Sequence, residues 1–171
     1  LSGRAKDLII RGGHNIDPKV IEDALGAHPA VDLCAAVGAP DAYAGELPVA
    51  FATLKPGAQV SAEELLAFTA ERVDEAPAKP KRITLLERMP VTNVGKIYKP
   101  ELRTLATGAV VQGLIDQVLT PLMTPAPQWP QVHALGDAQV TVDARATPAA
   151  AWAAIKPLLD ALPVKLVLHA P

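Results

Sequence analysis

From residue 8 onward the chain alternates short apolar runs with polar turns, and the spacing of the apolar positions predicts most of the elements. Leu8, Ile9 and Ile10 make a short strand that Gly12-Gly13 interrupts, because glycine reaches backbone angles other residues avoid. In "DPKVIEDALGAH", Ile21, Ala24, Leu25 and His28 fall on one face at helical spacing. Asp17 suits the N-cap and Pro18 the first helical position, and Pro29 ends the helix. Two strands follow at about 31–37 and 48–54, joined by "APDAYAGE", a turn-rich loop. Along the second, Val49, Phe51 and Thr53 alternate with Ala50, Ala52 and Leu54, the pattern of a largely covered strand. "VSAEELLAFTAERV" is the clearest helix. Ser61 and Glu64 are spaced as a capping box, and Val60 and Leu65 as a hydrophobic staple. "DEAPAKPKR" is a loop, "ITLLERM" at 83–89 a third main strand, and "KPELRTLA" starts a helix with Pro100 in its first turn.

After residue 106 the character changes. "TGAVVQGLIDQVLTPLM" is a further amphipathic helix, "TPAPQWPQ" a proline-rich linker, and the remaining stretch reads strand, helix, strand. The expected fold is α+β: a three-stranded mixed sheet flanked by helices, a short hairpin at the start, and a small α/β extension at the C-terminal end. The division follows as residues 1–105, a helix and linker at 106–130, and a β-α-β unit at 131–171. That unit is too small to stand unless it docks on something.

Composition narrows the function classes. A chain of 171 residues suits one domain with an appendage, and half of it is apolar. A net charge of -2 does not suggest a nucleic-acid surface or a polybasic anchor. The apolar runs are too short to span a bilayer, and no signal-peptide pattern is visible. The single Cys34 fits a reducing cytoplasm. The start at Leu1, inside a charged turn, reads as a cut from something longer.

Most chemical motifs fail on spacing. Proline at 90 and isoleucine at 97 rule out a phosphate-binding P-loop around Gly95-Lys96, and there is no G-x-S-x-G elbow. His14, His28, His133 and His169 lack metal-ligand spacing, so no metal site is expected. Cys34 lies in an apolar strand and reads as a core thiol rather than a nucleophile. Three polar clusters remain: "GRAKD" at 3–7, "GGHN" at 12–15 and "NVGKIYK" at 93–99. Taken singly, each has a plain explanation as a solvated turn, Lys96 included.

In this order and at these separations, however, they resemble the C-terminal domain of the adenylate-forming (AMP-binding) superfamily. The resemblance runs from Gly3 to about Arg103 through "GRAKDLIIRGGHNIDPKVIEDAL", "HPAVDLCAAVGAPDAYAGELPVAFATL" and "PVTNVGKIYKPELR". It is strongest toward bacterial acyl-CoA synthetases, the fatty-acid–CoA ligases. It implies an acid–thiol ligase that converts a carboxylic acid of the fatty class and ATP to an acyl-adenylate and diphosphate. The acyl group then passes to CoA. Residues 1–105 would be the mobile lid that turns between the two steps. Lys96 would be the catalytic lysine of adenylation, Lys6 the hinge, and Arg4 a neighbour of the nucleotide phosphates. Gly12, Gly13, His14 and Asn15 would line the CoA tunnel.

Two positions depart from the pattern. His14 stands where relatives commonly carry Glu. Ala44 stands where many carry tryptophan, with Tyr43 beside it as a substitute. Acetylation of Lys96 would remove its charge and stop adenylation. ATP, Mg2+ and CoA would be bound chiefly with a large N-terminal domain, without which these residues are inactive. The other readings are an adenylation domain that loads a carrier protein, and a non-catalytic interaction module.

Overall fold

The computed structural model describes residues 7–121, 129–135 and 139–171. Arg4 and Lys6, and most of the expected linker, lie outside them.

The first layer is a sheet with helices on both faces. Strand β3 (Val31–Asp41) pairs antiparallel with β4 (Gly45–Leu54), from Val31↔Leu54 down to Asp41↔Gly45. Strand β5 (Ile83–Leu85) runs parallel to β4, which makes the mixed three-stranded sheet expected from the pattern. A hairpin of β1 (Ile9–Arg11) and β2 (His14–Ile16) joins the β4 edge at the single pair Arg11↔Gly45.

Strand alternation sorts the core into two halves. Ala36, Ala50 and Ala52 face helices α1 (Pro18–Gly26) and α2 (Ala62–Arg72), packing with Ile21, Leu25 and Leu65. Ala35, Val37, Val49 and Phe51 face the other way and pack with Met89, Leu102 and Ala106. Period-two alternation dictates this split, since successive side chains of a strand leave on opposite faces.

The local signals hold where they rest on neighbouring residues. The Asp17 carboxylate accepts from the Lys19 amide at 3.0 Å. Ser61 and Glu64 exchange both bonds of the capping box, at 2.8 and 3.1 Å. Val60 joins the same cluster as Leu65, as the staple requires. Along α2 the Arg72 guanidinium lies 3.5 Å from the centre of the Phe68 ring.

Longer-range expectations need correction. The loop expected at 39–46 is mostly strand. Only Ala42–Ala44 turn, because Asp41 accepts from the amides of Tyr43 and Ala44 and Gly45 adopts φ +78°. The third strand stops at Leu85 rather than 89. After one last bond from the Leu86 amide to the Ala52 carbonyl, the chain leaves the sheet, and Met89 is buried on the Phe51 side of the core.

The two helices expected around residue 106 are one, α3 (Lys99–Leu119). Thr107 and Gly108 are weak helix formers, yet tertiary packing overrides propensity there. Gly108 is buried, and a Cβ on it would lie 3.7 Å from that of Ala134. The first half of α3 packs on the main sheet through Leu102 and Ala106. The second half carries Val111, Ile115 and Leu119 into a separate core.

That core belongs to the C-terminal extension. Strands β7 (Gln139–Asp143) and β8 (Leu166–His169) are parallel and joined through α4 (Ala149–Asp160). The expected β-α-β order is present, with an additional strand β6 (Gln131–Leu135) antiparallel to β7. Val140, Val142, Trp152, Ile155 and Leu159 close against α3. The docking partner that so small a unit requires is therefore α3 itself.

Candidate functional site

Lys96 sits at the end of a short turned-back loop between the sheet and α3. Val91 and Ile97 form an antiparallel bridge. Within it the Thr92 amide donates to the Lys96 carbonyl at 2.7 Å and the Gly95 amide to the Thr92 carbonyl at 2.8 Å. The Lys96 amide donates to the Thr92 hydroxyl at 3.2 Å. Gly95 takes φ +78°, a left-handed angle that disfavours any Cβ, with nothing within 4 Å of where one would stand. Below the bridge the Tyr98 amide closes onto the Pro90 carbonyl at 2.8 Å, and Met89 and Ile97 pack into the core around Leu102. The backbone at Lys96 is therefore fixed, while its side chain is exposed.

The base of this mount is braced from the opposite face of the sheet. Lys99 makes a largely buried ion pair with Glu22 of α1 at 2.8 Å. The same Glu22 oxygen accepts from the Ala36 amide at 2.9 Å, which ties α1, β3 and α3 together at one carboxylate. One turn further on, Arg103 donates to Asp7 at 2.9 Å. Asp7, the last residue of the first polar cluster, is thereby bonded to α3.

The glycine hairpin forms the second candidate face. Gly12 and Gly13 both have positive φ, +55° and +86°. The Gly12 amide donates to the Ala44 carbonyl at 2.8 Å, and the Ile10 amide to the Glu46 carboxylate at 2.8 Å. Arg11 donates to the Pro77 carbonyl at 2.6 Å. Gly12, His14 and Ala44 thus come together around an open groove that Arg11, Pro77 and Lys81 complete. Asn15 is exposed opposite Ile10, and Tyr43 stands fully exposed at the tip of the adjoining β3–β4 turn. Lys96 does not line this groove, so the sequence-predicted residues fall on two separate sites.

Arg11 and Lys81 escaped the sequence reading. The only available signal was the basic "KPKR" run, which composition alone assigns to a loop. Cys34 is a core thiol. Burial, reinforced by Glu22 and Asp23, pushes its pKa up to about 11, and its sulfur donates to the Glu22 carbonyl. Among the described residues no helix is long and apolar enough to cross a membrane.

Residues 20–96 match the AMP-binding enzyme C-terminal domain. Marinolic acid–CoA ligase of Pseudoalteromonas sp. (strain SANK 73390) is 53% identical over 103 residues, covering 60% of this chain and 16% of the ligase. The long-chain fatty acid–CoA ligase of Bacillus subtilis (strain 168) is 44% identical over 103 residues, covering 60% and 18%. Among solved structures, a Mycobacterium tuberculosis fatty acyl CoA synthetase superposes with TM-score 0.56 at 31% identity, covering 62% of this chain and 21% of that one. ATP-bound MatB from Rhodopseudomonas palustris gives TM-score 0.56 at 32% identity, covering 60% and 20%. The chain spans about a sixth to a fifth of the length of these relatives.

Proposed function

We propose, from the premise that this chain carries the C-terminal domain of an AMP-binding enzyme, that it is the lid of an acyl-CoA synthetase. Such a ligase joins a carboxylic acid to ATP, releasing diphosphate, and then passes the acyl group to the thiol of CoA with release of AMP. The fatty-acid class of substrate is suggested by the names of the relatives. Residues 1–105 form the mobile unit, 106–130 lead out of it, and 131–171 form the extension that packs on α3. A cytoplasmic setting suits this chemistry and the single thiol.

The observation that carries the reading is the mounting of Lys96. Its backbone is held by the Val91↔Ile97 bridge and by Thr92, and its ammonium projects outward. Adenylation gathers negative charge on the attacking carboxylate and on the phosphoryl oxygens. An ammonium delivered to that point from another domain stabilises the transition state and orients the two anions. The rigid base fixes where the charge goes, and the outward projection lets it enter a site on the large domain and leave again.

The glycine hairpin serves the second step. Without Cβ atoms, Gly12 and Gly13 leave room for a thiol-bearing arm to pass close to the backbone. His14 and Asn15 flank its path, and Arg11 and Lys81 supply cations suited to the phosphates of CoA. Lys6 takes up the backbone change of the rotation, and Arg4 lies by the nucleotide phosphates. ATP, Mg2+ and CoA are bound chiefly with the large domain.

The test is Lys96→Ala in the full-length ligase, with the half-reactions assayed separately. Acid-dependent pyrophosphate exchange should fall by roughly two to three orders of magnitude, while thioester formation from supplied acyl-adenylate and CoA persists. Wild-type rates in both halves would return Lys96 to the status of a surface lysine.

A further inference from the structure

We infer that the Glu46 carboxylate is a positioning group that holds the glycine hairpin in the register the thiol-transfer face requires. This rests on the assignment of that hairpin to the CoA step.

Strand β1 meets β4 at one residue pair only, Arg11↔Gly45, flanked by the bond from the Gly12 amide to the Ala44 carbonyl. One pair is a weak specification of register, and a slip by one residue would exchange the faces presented by the hairpin. The next backbone donor along β1 is the Ile10 amide, and it is taken by a side chain: Glu46 Oε2 accepts it at 2.8 Å. A carboxylate makes a stronger acceptor than a peptide carbonyl, and it extends the junction by one bond where the backbone pairing ends.

A second, independent feature shows that room is kept for this contact. Gly38 lies on the neighbouring strand β3, with φ outside the left-handed region, so backbone conformation does not require glycine there. A Cβ at Gly38 would stand 2.5 Å from Glu46 Cδ and 2.6 and 2.7 Å from its two oxygens. The carboxylate therefore occupies the space that any other residue at position 38 would fill. Gly38 and Glu46 act as one device, a missing side chain that lets a long one reach the strand carrying Gly12 and Gly13.

The two positions yield a matched pair of variants. Glu46→Ala removes the acceptor. Gly38→Ala leaves Glu46 in place but pushes its carboxylate aside. The clash falls on the movable end of a side chain, so the fold accommodates it. Both should raise amide hydrogen exchange at Ile10 about tenfold or more in the 171-residue chain, with Leu25 and Phe51 unaffected. Glu46→Gln, which keeps an acceptor oxygen, should restore most of the protection. In the full-length ligase, both disruptive variants should raise the KM for CoA about fivefold or more, with pyrophosphate exchange unchanged.

Unchanged Ile10 exchange in Glu46→Ala, or a Gly38→Ala variant that does not follow it, overturns the tether. Raised Ile10 exchange with an unaltered KM for CoA leaves the tether standing. It overturns instead the assignment of the hairpin to thiol transfer, and with it the positioning role.

Discussion

The two candidate faces solve different mechanical problems. The Lys96 loop is closed by its own backbone, through Val91↔Ile97 and the bonds around Thr92, with every partner within eight residues. The Gly12-Gly13 hairpin is held from outside, by Ala44, Glu46 and Pro77, each contributed by a distant segment. A point charge needs a firm base and a free tip. A groove that admits a long thiol arm needs a wall, and a wall is built from several strands at once. The contrast predicts that damage to the two faces travels by different routes.

The largest expected effect tests the base of the lysine mount. Leu102 is fully buried beside Met89 and Phe51, so Leu102→Ala should cost about 3 kcal/mol of stability. It would be read as a lower urea midpoint for the 171-residue chain at unchanged m-value. A loss well under 1 kcal/mol would mean that α3 does not anchor the loop.

Next comes the brace at Glu22. Glu22→Ala strips the largely buried Lys99 of its partner and the Ala36 amide of its acceptor, which should cost about 2 kcal/mol. The same denaturation experiment in 1 M salt should recover little of it, because a partly buried pair is poorly screened. Full suppression of the effect by salt would show the brace to be a surface contact.

A sharper comparison sets Gly95→Ala against Gly13→Ala. Both force a Cβ onto a left-handed angle, +78° and +86°, in open space, so each should cost about 1 kcal/mol from strain alone. Their catalytic signatures should nevertheless separate. Gly95→Ala should lower pyrophosphate exchange, and Gly13→Ala thioester formation. Identical profiles would erase the distinction between the faces. The smallest effect belongs to Tyr43→Ala. This fully exposed residue should leave stability within about 0.5 kcal/mol, while the KM for CoA rises if the ring substitutes for the aromatic that Ala44 lacks.

Legibility in the sequence followed the range of the interactions. Asp17, the Ser61–Glu64 box and the glycine turns were all readable, because each depends on groups within about four residues of one another. Lys96 stood out only through the order and separation of three polar clusters, since its own glycine turn reads as any solvated turn. The continuity of α3 through Thr107 and Gly108 was not readable, since local propensity argues for a break there and only the approach of β6 explains the glycine. Strand β6 was hidden by the prolines before it, and the longer reach of β3 and β4 by a stretch rich in turn residues.

By itself, then, the sequence determined most of the elements, their caps and the α+β class. Each of these follows from short-range stereochemistry and from apolar periodicity, which are written residue by residue. Tertiary structure alone decided how the second face is assembled. The Ile10–Glu46 and Arg11–Pro77 bonds join residues 36 and 66 positions apart. No local rule encodes such pairs, because the donors and acceptors meet only after the sheet has brought its edges together.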